Sequence, residues 1–255
     1  MLYYEQVTLP MRRFLPAYNN TLRNNCQRLD TMPLIIGVTG SIATGKSSAC
    51  LLIAERGATH LDADRLVHRL YDPGKPAFDR IVAVFGDEIV GADGYIDRKI
   101  LGSKVFGKPD EMAKLTTAIG DIAAAVKDVV DEWNDTLSDD DVAVLEAVNL
   151  IEAGYGRWCD VVWLFACDES IARTRLMQRN GFSVEEANQR LASQRDWRDR
   201  EPASDRVFHN EGTLDEFEGA VKFAYADTVK LAKDGQLPET KYNGWWERRN
   251  EDAGK

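Results

Sequence analysis

The segment Gly40-Ser41-Ile42-Ala43-Thr44-Gly45-Lys46-Ser47 constrains this chain more than any other part of it. An apolar run, Leu34-Ile35-Ile36-Gly37-Val38, precedes it with the character of a buried strand. An amphipathic stretch from Ser47 to Arg56 follows it as a helix. Strand, glycine-rich turn and helix N-terminus in that order make a phosphate-binding P-loop. Unpaired backbone N–H groups and the positive end of the helix dipole converge there on one concave space. Gly40 and Gly45 allow a tight turn and close approach to a phosphate. Lys46 can reach the β- and γ-phosphates, and the Ser47 hydroxyl can hold Mg²⁺. Residues Gly40, Ser41, Ile42, Ala43, Thr44, Gly45, Lys46, Ser47 and Ser48 therefore form the expected site for ATP or GTP.

A chain of 255 residues, 44% of them apolar, can bury the core of one sizeable α/β domain. Its net charge of −10 argues against broad nucleic-acid binding, which needs many cationic contacts, so phosphate recognition must be local. No apolar run is long enough to span a bilayer. Cys26, Cys50, Cys159 and Cys167 form no Cys-x-x-Cys pair and complete no metal-ligand spacing with His60, His68 or His209. They read as reduced thiols of a cytoplasmic protein.

Further along, Ala58–Leu61 reads as a second strand ending in Asp62-Ala63-Asp64, and a mostly helical stretch follows from 65 to 135. Its last helix carries one apolar stripe, Met112, Leu115, Ile119, Ile122, Val126, Val129 and Trp133. Residues 141–145 and 161–165 are near-continuously apolar strands, as strands covered on both faces should be. Helices over 170–180 and 183–195, a short strand near 206–208 and a helix over 214–233 complete the pattern. Strands alternating with helices predict a doubly wound parallel sheet of the P-loop nucleoside triphosphate hydrolase-like class, without internal repeats. Residues 1–31 stand apart: a poorly ordered extension is the simplest reading, with a targeting peptide or a docking arm as alternatives. From 235 to 255 the chain is polar except for Leu237, Tyr242 and Trp245-Trp246. That tail either docks, on the body or on a partner, or frays.

Two features narrow the chemistry. Asp62 and Asp64 end a strand, where open α/β sheets hold their ligands, and in extended chain they would face one side. One carboxylate can orient an acceptor hydroxyl and take its proton; the other can hold Mg²⁺ through water. An aspartate capping the next helix would explain one of the two but not both. The second feature is a run of eight arginines and no lysine between Arg173 and Arg206. Such a run suits a lid that delivers bidentate contacts to a transferring phosphoryl group, although the acidic residues among them allow ordinary ion pairs. Arg175 and Arg179, one helical turn apart, are the expected phosphate ligands. No Asn-Lys-x-Asp motif marks a GTPase switch.

From residue 33 to 232 the chain resembles the dephospho-CoA kinases. The likeness rests on Gly37 to Ser47, Asp62-Ala63-Asp64, Pro73-Gly74-Lys75-Pro76-Ala77, Phe85-Gly86 and Asp93-Gly94-Tyr95-Ile96-Asp97-Arg98. It continues through Leu101, Val105-Phe106, Gln178-Arg179, Gln194 and Asp205-Arg206-Val207-Phe208 with Asn210. The resemblance implies transfer of the ATP γ-phosphoryl group to the ribose 3′-hydroxyl of dephospho-CoA, with Asp64 as the base and Asp62 beside it. Mg²⁺ would sit on Ser47, with a water-mediated contact to Asp62. It also implies a core of 32–64 and 136–234, an acceptor-binding insertion at 65–135, a lid over about 175–205, and a start at Met32. The expected partner is a small molecule, with no nucleic acid or membrane, and the protein is expected to be a monomer or weak homo-oligomer. The chain departs from the family where Gly120-Asp121 replaces His-Pro and Asn149-Leu150-Ile151 replaces Pro-Leu-Leu. Both departures leave room for another hydroxyl acceptor or a non-catalytic nucleotide-binding relative. Without the proline, one continuous helix is expected from about 110 to 133.

Overall fold

The computed structural model describes residues 32–253. The expectations for residues 1–31, and for Cys26 among them, lie outside the described residues. The first strand, β1 (Leu34–Gly40), is buried along its whole length. Its alternate side chains enter two separate cores, Leu34, Ile36 and Val38 on one side and Ile35 on the other. A strand covered on both faces belongs in the middle of a sheet. That sheet also contains β2 (Thr59–Asp62), β3 (Val142–Glu146), β4 (Val161–Ala166) and β5 (Arg206–His209). The order is β2-β3-β1-β4-β5, and every neighbouring pair is parallel, as the alternation predicts. Chain order switches on either side of β1, and that is where such sheets open a ligand crevice beyond their carboxyl ends.

On one face, α1 (Lys46–Ala54) and α9 (Leu214–Lys233) bring Ala49, Cys50, Ile53, Phe217, Val221 and Ala224 onto the sheet. On the other, α2 (Ala63–Leu70) and α6 (Ile122–Thr136) pack Leu66, Val126, Val130 and Trp133 against Ile35, Leu145 and Leu150. Between them, α3 (Pro76–Phe85), α4 (Arg98–Val105) and α5 (Pro109–Ile119) gather a small core of Ile81, Phe85, Ile89, Leu101, Val105 and Ile119. Local chemistry starts these helices: prolines occupy the first turns of α3 and α5, and the Asp97 carboxylate accepts the N–H groups of Lys99 and Ile100.

The continuous helix expected over 110–133 does not form. The chain breaks at Gly120, whose φ of 103° suits glycine alone. Asp121 then caps α6 by accepting the Ala124 N–H at 2.9 Å. Arg80 donates to the last carbonyls of α5, Ala118 at 2.8 Å and Ile119 at 3.1 Å. Gly-Asp is itself a stop-and-start signal, so the missing proline removes one helix breaker and leaves another.

After β4, α7 (Glu169–Asn180) turns at Gly181 into α8 (Val184–Ala192), which stops short of the expected Arg195. Two short 3₁₀ turns at 197–199 and 201–203 lead into β5. The tail forms a further helix, α10 (Lys241–Ala253), seated on the body through a wholly buried Tyr242. Among the described residues no helix is long and apolar enough to cross a membrane. Cys50, Cys159 and Cys167 are buried thiols.

Candidate active site

The P-loop is the turn between β1 and α1, and its shape leaves little freedom of sequence. A Cβ on Gly40 would lie 2.5 Å from the Phe165 carbonyl oxygen, and one on Gly45 would lie 2.4 Å from Asn210 Nδ2. Gly45 caps α1 in the left-handed region, at φ 98°, with no side chain on the first-turn N–H groups. Those donors are left for an anion. Ala43 carries a left-handed φ of 64° without being glycine, a small strain held inside the loop. Three bonds brace the turn: Thr44 Oγ1 donates to Ser41 O at 2.9 Å, Asn210 Nδ2 to Thr44 O at 3.0 Å, and Ser41 Oγ to Arg195 O at 3.4 Å.

At the start of α1, Ser47 Oγ donates to Glu146 Oε1 at 2.5 Å. The other Glu146 oxygen lies 3.0 Å from His60 Nε2. Register explains the meeting: Glu146 ends β3, level with Val38 of β1 and Asp62 of β2. Burial pushes the Glu146 carboxyl up, but the hydrogen bonds of His60 and Ser47 and the Lys46 charge outweigh it and leave it below its ordinary value. A serine hydroxyl paired with a buried carboxylate under a P-loop fits a hard divalent cation. Cys50, His60 and Glu146 also bring ligand atoms within 4.8 Å of one another. Burial, then the Glu146 charge, keeps the Cys50 thiol protonated, and His60 and Glu146 already bond each other, so this trio is a hydrogen-bonded core.

Asp62 does cap the next helix: its carboxylate accepts the Arg65 N–H at 3.0 Å. The extended-chain argument for the Asp pair does not hold, because α2 begins at Ala63 and Asp64 sits in its first turn. The two carboxylates are brought together all the same. Asp64 is exposed, in the first turn of α2. Partial desolvation raises its pKa first, the Asp62 charge adds to this, and Lys46 works against it. Lys46 is thus within electrostatic reach of both Asp64 and Glu146.

The two arginines expected on the phosphates differ. Arg175 reaches the P-loop, its Nη1 3.5 Å from Ala43 O and its Nη2 3.3 Å from Asn210 Oδ1. Arg179 is exposed one turn further on and donates to Asn180 Oδ1 at 3.0 Å. Others in the run make ion pairs: Arg173 with Glu169, Arg198 with Asp196, Arg206 with Asp227, and the buried Arg200 with Glu152 at 2.7 Å. Beside α2, a cleft of about 430 Å³ is lined by His68, Tyr71 and Tyr95, by Arg98 and Lys99, and by the carboxylates of Asp72, Asp93 and Asp97. His68 Nδ1 and the Tyr71 hydroxyl share a short hydrogen bond. Burial, then the Arg98 charge, lowers the His68 pKa.

Sequence reasoning missed Glu146 and His60, and it met Asn210 only through the resemblance. The signal for Glu146 was present: an acidic residue closing an apolar strand at the carboxyl edge of the sheet.

A parallel sheet with this order, a P-loop after its central strand and acidic groups on the adjoining strand ends define a P-loop nucleotide-binding protein. The profile of the dephospho-CoA kinase family matches residues 34–216, and the chain belongs to that family of kinases. A dephospho-CoA kinase of Symbiobacterium thermophilum is 36% identical over 75% of this chain and 80% of its own length. One of Geobacter metallireducens is 37% identical over 77% and 98%. A Thermus thermophilus protein of known structure superposes with a TM-score of 0.62 at 28% identity, covering 77% of this chain and 98% of its own. A dephospho-CoA kinase from Campylobacter jejuni, 23% identical and covering 77% and 97%, shares the fold with a TM-score of 0.54.

Proposed function

We propose that the chain transfers the γ-phosphoryl group of ATP to the ribose 3′-hydroxyl of dephospho-CoA, giving coenzyme A and ADP, the last step of coenzyme A synthesis. One observation carries this reading: a braced P-loop with no side-chain cap on its helix has its Lys46 within electrostatic reach of Asp64, a carboxylate whose pKa is raised by desolvation and by Asp62. The nucleotide phosphates take the N–H groups of residues 40–48, and Lys46 neutralises charge as it moves to the bridging oxygen. Arg175, already leaning on the loop, covers the phosphates from α7, and Arg179 joins it when the segment 175–205 closes as a lid. Asp64 orients the acceptor hydroxyl and takes its proton; Asp62 fixes the start of α2 and so the place of Asp64. Ser47 and Glu146 would hold Mg²⁺, with Asp62 in reach through water. That ion supplies charge neutralisation to the phosphates. The insertion 65–135, with Arg98 and Lys99 on its cleft, takes the diphosphate-bearing acceptor.

Coupled ADP release from Mg²⁺-ATP, measured with and without dephospho-CoA on the full chain, tests the reading. Strong acceptor-dependent turnover is expected. Nucleotide binding with no such turnover would sink it.

A further inference from the structure

The family match ends at residue 216, yet α10 is built into the body, against the turns at 155–158 and 201–203. Asp205, at the entrance to β5, clips its start. One carboxylate oxygen accepts the Lys241 N–H at 2.8 Å; the other accepts Thr240 Oγ1 at 2.8 Å and the Val162 N–H at 2.6 Å. The wholly buried Tyr242 then donates its hydroxyl to Ile151 O at 3.2 Å. Its ring fills the space over Gly156, where a Cβ would lie 2.4 Å from Tyr242 Cδ2. Trp246 covers Gly154, a left-handed glycine whose Cβ would lie 3.2 Å from Trp246 Cη2.

Tyr155 stands between those two glycines. It is buried and stacks on Trp158, with ring centroids 5.5 Å apart and planes 12° from parallel. Burial, then the charges of Asp64 and Asp121, raise the Tyr155 pKa, which puts the phenol within electrostatic reach of the carboxylate assigned as base. Tyr155, Trp158 and Tyr242 share one apolar cluster with Ala63 and Leu66, the residues that seat α2 and hence Asp64.

We propose that α10 is a positioning element for the phosphoryl acceptor: through Tyr242 and Trp246 it fixes the 154–158 turn, so that Tyr155 walls the acceptor side of the crevice next to Asp64. This inference rests on the dephospho-CoA kinase reading above. Tyr155 is not asked to transfer a proton. It excludes water and limits where the acceptor hydroxyl can sit, which matters because small misplacements of reacting groups cost rate steeply.

Steady-state kinetics on the full chain test it. Trp246→Ala is expected to raise KM for dephospho-CoA about tenfold and leave KM for ATP within about twofold, with Trp246→Phe restoring most of the loss. Tyr242→Phe keeps the ring, removes only the bond to Ile151, and is expected to raise acceptor KM about threefold; it decides the matter if Trp246→Ala does not fold. In a Tyr155→Ala background, the Trp246 effect should vanish, because both act on one contact. Unchanged acceptor KM in the folded variants, or equal rises for both substrates, would overturn the inference while wild-type turnover leaves the kinase reading standing. A wild-type protein without acceptor-dependent turnover overturns both.

Discussion

Glu146 ends β3 and Asp64 opens the helix that follows β2, and their surroundings push them in opposite directions. Glu146 has donors that favour its charge, whereas Asp64 is partly desolvated and has a like charge beside it. The raised folded-state value of Asp64 means that its protonated form is favoured by folding. Its stabilising contribution is present below the ordinary 3.8 and lost as pH rises through the folded value. Asp64→Asn should therefore lower kcat by roughly 10²–10⁴-fold while raising the urea midpoint at pH 7, with the two proteins converging near pH 3. The acidic limb of kcat/KM should lie above 3.8 and move down in Asp62→Asn, which removes the repelling charge. Unchanged turnover in Asp64→Asn would take the base role from this residue. Glu146 behaves inversely: its contribution holds above the ordinary 4.5 and is lost as pH falls through the lowered value. Glu146→Gln should cost about 1–3 kcal/mol, read from urea unfolding at pH 7, and raise the Mg²⁺ concentration needed for half-maximal rate. An unchanged Mg²⁺ dependence would leave Glu146 as a structural partner of Ser47 and His60.

At the scale of elements, the departures from expectation have one kind of cause. The strands were legible because a strand buried on both faces is near-continuously apolar, as β4 is throughout, β1 is but for Thr39 and β3 is up to Glu146. The break between α5 and α6 was not, because the apolar stripe runs through it and no proline marks it. Gly120→Ala is expected to destabilise by about 1–3 kcal/mol, since its φ of 103° is strained for alanine whatever the space around it. Thermal unfolding checks this, and a neutral result would mean that the helices can rejoin without cost. The docking of α10 was readable in principle. Tyr242, Trp245, Trp246 and Arg249 follow the three-four spacing of one helix face, and Arg249 lies over both indoles at 5.2 and 5.5 Å. A polar composition concealed the stripe.

For the molecule as a whole, the order of the sheet decides which residues meet. The P-loop and the Asp62–Asp64 pair were visible because each is a local run of sequence. Glu146 was not, and Asn210 only through the resemblance, since they reach the P-loop through strand register and the turn after β5. Asp205 shows how far such links extend: one carboxylate joins the start of β4 to the start of α10, from the entrance of β5. Removing it leaves the Val162 N–H and the first turn of α10 without their acceptor. Asp205→Ala should therefore cost roughly 3 kcal/mol, more than a surface aspartate, because three donors lose a charged partner together. Asp205→Asn, which keeps one carbonyl oxygen, should lose about half as much. Urea unfolding followed by tryptophan emission reads both quantities, because Trp245 and Trp246 pass to solvent as α10 leaves. A single cooperative transition at a lower midpoint is expected if α10 belongs to the same folding unit as the sheet. An early, separate red shift with the main midpoint unchanged would instead make α10 an independent flap, held by Asp205 but contributing nothing to the stability of the core.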